Sequence, residues 1–215
     1  MNSAKKDIIK KGSSIIHYKG FNHTGLSEIL SCARIPKGSF YFYFKNKEDF
    51  GLEVIKYFQD KIYEIFKKHS TNMYNSPMDN LKNFFLEYFK YIQVDKQFNG
   101  CPLQNLSHEM SSLNENMRLM LLSFHNQFKS QISSLIKEAQ LRSNINNMIN
   151  PDEGASFIIS SWSGALTEVK LTKSHKAFEI FLKQVFEYYF KPDIVIPIVK
   201  IEDKKKKKMS FFLGK

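Results

Sequence analysis

The chain has 215 residues, with 20 phenylalanines and 10 tyrosines against nine glycines and six prolines, a balance that favours helices around a sizeable core. No apolar run reaches the roughly 18 residues of a membrane span, MNSAKKDIIKKG lacks a secretory signal, and two cysteines 69 residues apart suggest neither a disulfide framework nor a zinc site. The net charge of +11 is uneven: residues 1 to 50 hold nine basic and four acidic side chains, residues 200 to 215 hold seven and two, and the stretch between is nearly neutral. A basic end on a neutral body points to a polyanion, the alternative being lysine that serves only solubility. A cytoplasmic protein with both thiols reduced is expected.

Residues 20 to 50, GFNHTGLSEILSCARIPKGSFYFYFKNKEDF, carry two short helices separated by a tight turn. Gly20 ends a first helix, and Thr24 is placed to cap the second. Leu26, Ile29, Leu30 and Ala33 give that second helix one apolar face, and Cys32 reads as a small packing residue on it. The turn falls at Arg34-Ile35-Pro36, and Pro36 sets up a fresh helix at Lys37. Phe40 and Phe44 anchor this third helix and leave Lys37, Ser39, Tyr41 and Tyr43 facing outward. That is how a helix-turn-helix DNA reader is built.

Amphipathic helices follow. From Lys47 to about His69, the positions Phe50, Val54, Ile55, Phe58, Ile62, Ile65 and Phe66 keep the helical period. Pro77 opens a helix with Leu81, Phe84, Phe85, Tyr88, Phe89 and Ile92, and a loop through Asn99-Gly100 leads to a short helix from Pro102 to about Ser111. A long helix spans Asn116 to Arg142, Asn144 to Asn150 is a polar linker, and Pro151 opens a helix through Lys170. Ser174 is placed to cap a last helix reaching Phe190. Ile194 to Ile201, which contains Pro197, reads as an extended tail, and Lys204 to Lys208 as a self-repelling, solvated run.

The order of residues in the first 60 positions resembles the TetR family of bacterial transcriptional regulators. The matching elements are Gly20-Phe21, Thr24, Ile29, Lys37-Gly38-Ser39-Phe40-Tyr41, Tyr43-Phe44 and Lys47 to Phe50. Gly12, Gly25 and Arg34 depart from the family's alanine, threonine and turn glycine; the first should cost about 1 kcal/mol of helix stability. The resemblance implies an all-α protein: an N-terminal helix-turn-helix domain over 1–48, continuing into the helix 47–69, a helical effector-binding and dimerisation domain over 49–192, and a basic tail over 193–215. It implies a homodimeric repressor on a palindromic double-stranded operator, released by a small-molecule effector. The candidate DNA-contact set is Thr24, Ser27, Lys37, Gly38, Ser39, Tyr41, Tyr43 and Lys47.

Two further sites are expected. The stripes on the last two helices, with Trp162 and Leu166 on one and Phe181, Val185 and Phe186 on the other, suit a two-fold interface or an intramolecular core; the resemblance implies the interface. Cys101, just before Pro102, sits where a helix N-terminus favours a thiolate. The segment from Gly100-Cys101 through Asn105, Glu109 and Asn114 to Arg118 resembles the subgroup of the N-ethylmaleimide-responsive repressor, which implies electrophile or oxidant sensing at Cys101 with Lys170 in support. A small structural residue at 101, with a noncovalent hydrophobic effector, is the alternative. His108 and Glu109 read as a surface pair. No nucleophile, phosphate-loop or metal-ligand pattern is evident, so neither catalysis nor a cofactor is expected. A helical dimer binding a protein partner or an anionic membrane through its basic ends is the outside reading; the outward Tyr41 and Tyr43 favour DNA over a membrane.

Overall fold

The computed structural model describes residues 3–93, 98–142 and 145–191. Among the described residues the chain forms nine α-helices and no strand. The first three are α1 (Ser3–Lys19), α2 (Leu26–Ala33) and α3 (Lys37–Tyr43), and the long α4 (Lys47–Ser70) follows. The body adds α5 (Pro77–Ile92), α6 (Pro102–Met110), α7 (Glu115–Leu141), α8 (Pro151–Thr172) and α9 (Lys176–Lys183), which runs into a π-helical turn over Gln184–Tyr189. The expected tail, including Ile194 to Ile201 and Lys204 to Lys208, lies outside the described residues.

Local chemistry sets most of the boundaries. Asn46, Ser76, Asn114 and Asn150 each accept an amide from the first turn of α4, α5, α7 and α8, and proline occupies the first turn of α5, α6 and α8. Arg34 closes α2 in the left-handed region at φ 58°, and the amides of Arg34 and Ile35 return to Ser31 and Leu30. The turn that a glycine would ease is thus still made. Thr24 does not cap α2: its hydroxyl donates to the Gly20 carbonyl at 2.6 Å, while the Glu28 carboxylate accepts the Gly25 amide at 2.9 Å.

In the head, Phe40 and Phe44 turn inward against Phe50 of α4, with ring centroids 5.0–5.6 Å apart. Gly12 explains itself here. A Cβ at that position would lie 2.5 Å from the Phe50 ring, so the glycine that weakens α1 lets it close onto α4. Cys32 is exposed, its thiol 3.4 Å from the Lys11 carbonyl, so the expected packing role is not the observed one.

The face of α4 made by Val54, Phe58, Ile62 and Phe66 continues from the head into the body and packs on α5, α6 and α7. The body core is aromatic, with Phe66, Phe84 and Phe128 in mutual contact and Phe89 stacked on Phe178 at 3.8 Å. Trp162 fills its centre among Phe85, Tyr88 and Phe181. The α8–α9 stripe named as an interface is therefore largely intramolecular. Trp162, Leu166, Phe181 and Val185 are buried within one chain, and Phe186 is half-buried near Phe85 and Phe181. What α8, α9 and the π-helical turn leave outside is a different set, which includes Phe157, Gly164, Leu171, Ile180 and Tyr188.

Candidate functional site

The reading helix α3 presents one face to solvent. Lys37, Gly38 and Tyr41 are exposed, and a Cβ on Gly38 would meet open space. Ser39 and Tyr43 are half-buried at its flanks. Phe42, absent from the sequence-based set, is 79% exposed against 48% for Tyr41, so the outward face centres on this aromatic pair. The helical period held the signal: two residues from both Phe40 and Phe44, Phe42 lies about 200° round the helix from each.

Two of the expected DNA contacts have other work. Thr24 is fully buried and holds the α1–α2 turn, so its side chain does not reach the surface. Lys47 donates from Nζ to the Phe21 carbonyl at 2.6 Å and lies 4.4 Å from the centre of the Phe21 ring. Burial pushes the Lys47 ammonium below its ordinary pKa, opposed by Glu109 and Glu28. Ser27 is exposed at the start of α2.

Glu109 is not a surface partner of His108. From α6 it accepts the Phe21 amide at 2.8 Å and the Asn22 amide at 2.7 Å, across a sequence separation of 88 residues for the first. A carboxylate of the body thus holds the α1–α2 turn of the head. A second tie is His17 of α1, whose Nε2 lies 2.8 Å from the Gly100 carbonyl; the carbonyl accepts, so the imidazole donates. Burial lowers the His17 pKa, the Gly100 bond opposes that, and Lys170 adds to the lowering. No local pattern announces either tie, because both partners are distant in sequence.

Cys101 sits at the N-cap of α6 as expected, but the thiol behaves otherwise. It is 8% exposed, with Sγ 2.9 Å from the Tyr88 hydroxyl. Burial raises its pKa; the Tyr88 hydrogen bond and the Gln104 and Leu103 amides favour the thiolate but do not overcome the loss of water. The expected depressed pKa is therefore corrected. Cys101 and Lys170 do line one cleft, of about 470 Å³, together with His17, Gly20 and Glu109 at the junction of head and body. Lys170 directs Nζ toward Asn105 Oδ1 at 3.4 Å.

On the other side of α6 lies a half-open inner cavity of about 210 Å³, walled by Ile62, Leu121, Phe124, Phe128 and Trp162, with Tyr88, Cys101 and Gln104 as polar lining and His108 and His125 at its exposed mouth. Cys101, Gln104 and His108 line both spaces, so α6 is the partition between them. Among the described residues no group of three or more His, Cys, Asp or Glu is placed to hold a metal ion, and no helix is long and apolar enough to cross a membrane.

A helix-turn-helix head with an outward reading helix, tied to a helical body, defines a DNA-binding transcriptional regulator. Residues 8–54 match the family described as bacterial regulatory proteins, tetR family, and residues 77–185 match the tetracyclin repressor-like C-terminal domain. The chain belongs to the TetR family. It is 30% identical over 183 residues to the HTH-type transcriptional repressor DhaR of Mycobacterium sp. (strain GP1), covering 85% of this chain and 90% of that protein. It is 27% identical over 194 residues to the HTH-type transcriptional repressor NemR of Escherichia coli (strain K12), covering 86% and 92%. The crystal structure of regulatory protein TetR from Rhodobacter sphaeroides superposes with a TM-score of 0.81 at 28% identity, covering 86% of this chain and 98% of that one.

Proposed function

We propose that the chain is a homodimeric repressor that binds a palindromic operator through α3 and leaves it when a small molecule occupies the cavity behind α6. The observation that carries the reading is the outward face of α3, where Lys37, Tyr41 and Phe42 stand exposed over the buried Phe40–Phe44 anchor. Tyr41 and Phe42 contact base edges and thymine methyl groups, while Lys37, Ser39 and Tyr43 position the backbone, with Ser27 reaching a phosphate. Residues 1–48 form the reading head and 49–192 the regulatory body, with α4 shared between them.

One reading helix covers a few base pairs, so specificity needs two half-sites and hence two copies. The outer faces of α8 and α9 supply the contact: Phe157, Ile180 and Tyr188 are exposed apolar groups, and open space at Gly164 allows close helix approach. Both related repressors named above support the repressor role. Occupancy of the inner cavity displaces α6, and Glu109 transmits the displacement to the α1–α2 turn that carries α2 and α3.

A second reading, covalent modification of Cys101, is favoured by the shared cleft of Cys101 and Lys170 and by the likeness to NemR. A buried, protonated thiol held by Tyr88 favours the noncovalent route in the resting protein. Footprinting on the DNA flanking its own gene tests the repressor reading, with a two-fold symmetric protected site as the expected result. Protection without symmetry, or none, would reject it. Maleimide labelling tests the second reading: Cys32 should label first, and Cys101 labelling ahead of Cys32 would reinstate covalent sensing.

A further inference from the structure

The cleft between head and body carries positive charge that the chain leaves unanswered. About 470 Å³ in volume, it is walled by His17, Lys19 and His23 from the head and by Asn105, His108 and Lys170 from the body. Lys170 places its ammonium in this space. Nζ lies 3.4 Å from Asn105 Oδ1, and Cδ stands 3.7 Å from where a Cβ on Gly100 would be, so the side chain folds over the Gly100 turn. Asn105 donates to the Asn99 carbonyl at 2.7 Å, which turns its own oxygen to the lysine. The same charge is felt by His17 of α1, where it adds to the lowering of the imidazole pKa.

Among the described residues no carboxylate forms an ion pair with that ammonium. Glu109, the one acid lining the cleft, has an oxygen on each of the Phe21 and Asn22 amides, and Lys19 is already paired with Glu28. Glu168, two positions from Lys170, lies about 200° round α8 and does not line the cleft. The start of α6 adds to the excess. Its Leu103 and Gln104 amides turn to the Cys101 thiol, which burial keeps protonated, so the positive end of the helix meets no anion either. We propose that this cleft binds a small organic carboxylate, which accepts from Lys170 Nζ, with the His23 and His108 imidazoles at the exposed rim as further donors. One negative charge matches one unanswered ammonium, and the lysine keeps two donors beyond the one spent on Asn105. Leu166 and the Tyr18 ring, which also line the space, give the hydrocarbon part a surface. Such a ligand touches head and body at once, and its site is separate from the cavity behind α6.

The histidines report occupancy without reference to DNA. Three of the six line the cleft, while His69 is bonded to Glu87 and His175 packs on Phe89 and Phe98. The full-length protein with isotope-labelled histidine is titrated by NMR with butyrate, butanol and butylammonium at fixed pH and ionic strength. Butyrate should shift the His17, His23 and His108 signals saturably and leave His69 and His175 in place, at concentrations about tenfold below those butanol needs. Butylammonium, with the charge reversed, should give no saturable shift at the three. Lys170→Gln should raise the half-saturating concentration of butyrate about tenfold, and Lys170→Arg, which keeps the charge, should recover most of the loss. Unmoved His69 and His175 signals check that each variant is folded. Equal responses to butyrate and butanol, shifts of the same size at all six histidines, or no saturation with butyrate would overturn the proposal, and none of these results needs a variant. Butyrate binding unchanged in a folded Lys170→Gln would overturn it as well.

Discussion

Replacing Glu109 with alanine removes both hydrogen bonds that α6 makes to the head, and the consequence can be worked out from their surroundings. The Phe21 amide is partly buried, so losing a charged acceptor there costs about 1.5 kcal/mol. The Asn22 amide is exposed, water replaces the carboxylate, and the loss is about 0.5 kcal/mol. The sum, about 2 kcal/mol, is roughly a thirtyfold change in the opening of the α1–α2 turn. Native-state hydrogen exchange reads it directly. The Phe21 and Asn22 amides should lose protection by about that factor, while the α7 amides around Ile132 and Ile136, buried in the body, should change far less. Glu109→Gln keeps one acceptor oxygen and should fall between the two. The same variants should bind operator but release it poorly when the cavity is filled. Unchanged exchange at Phe21 and Asn22 in Glu109→Ala would refute the claim that this carboxylate holds the head.

Three other outcomes follow from the same geometry. Because burial holds the His17 pKa below the ordinary 6.5, the unfolded chain binds the proton first, so this contribution to stability is complete above pH 6.5 and declines as pH falls below it; His17→Gln should flatten that part of the urea-denaturation profile. Gly12→Ala gains about 1 kcal/mol of helix propensity yet forces the Phe50 ring to move, at about 1–3 kcal/mol, so thermal melting should show no stabilisation and a net loss in most of that range. Ile180→Glu, on the outer face of α9, should lower dimer affinity in sedimentation while leaving the monomer folded, whereas Leu166→Glu buries a charge in the core and should abolish folding itself.

The head was legible because its determinants are local. Gly20, Pro36 and the Phe40–Phe44 spacing fix helix ends and an inward face within 25 residues of one another. The body was legible as helices for the same reason, since asparagine, serine and proline mark their starts. The reading of α8 and α9 failed where periodicity is mute: a stripe such as Trp162, Leu166 and Val169 serves a core and an interface equally, and only the packing of Phe85 and Phe89 decides. Cys101 failed for a related reason. Its position at a helix start was evident, but its pKa depends on burial and on Tyr88, which belongs to another helix. Glu109 lay beyond reach altogether, because the amides it holds are on the far side of the head–body junction.

The central claim is that α3 reads DNA through its exposed face. Fluorescence anisotropy of the full-length protein on its footprinted operator, across a salt series, tests it with Tyr41→Ala, Phe42→Ala and Lys37→Ala beside the unmodified chain. The account predicts that each aromatic substitution costs about 1–3 kcal/mol of specific binding with the salt slope retained, while Lys37→Ala weakens specific and nonspecific duplexes alike and flattens the slope by about one unit. Specific affinity that survives all three substitutions, or no salt-dependent binding to any duplex, would contradict it.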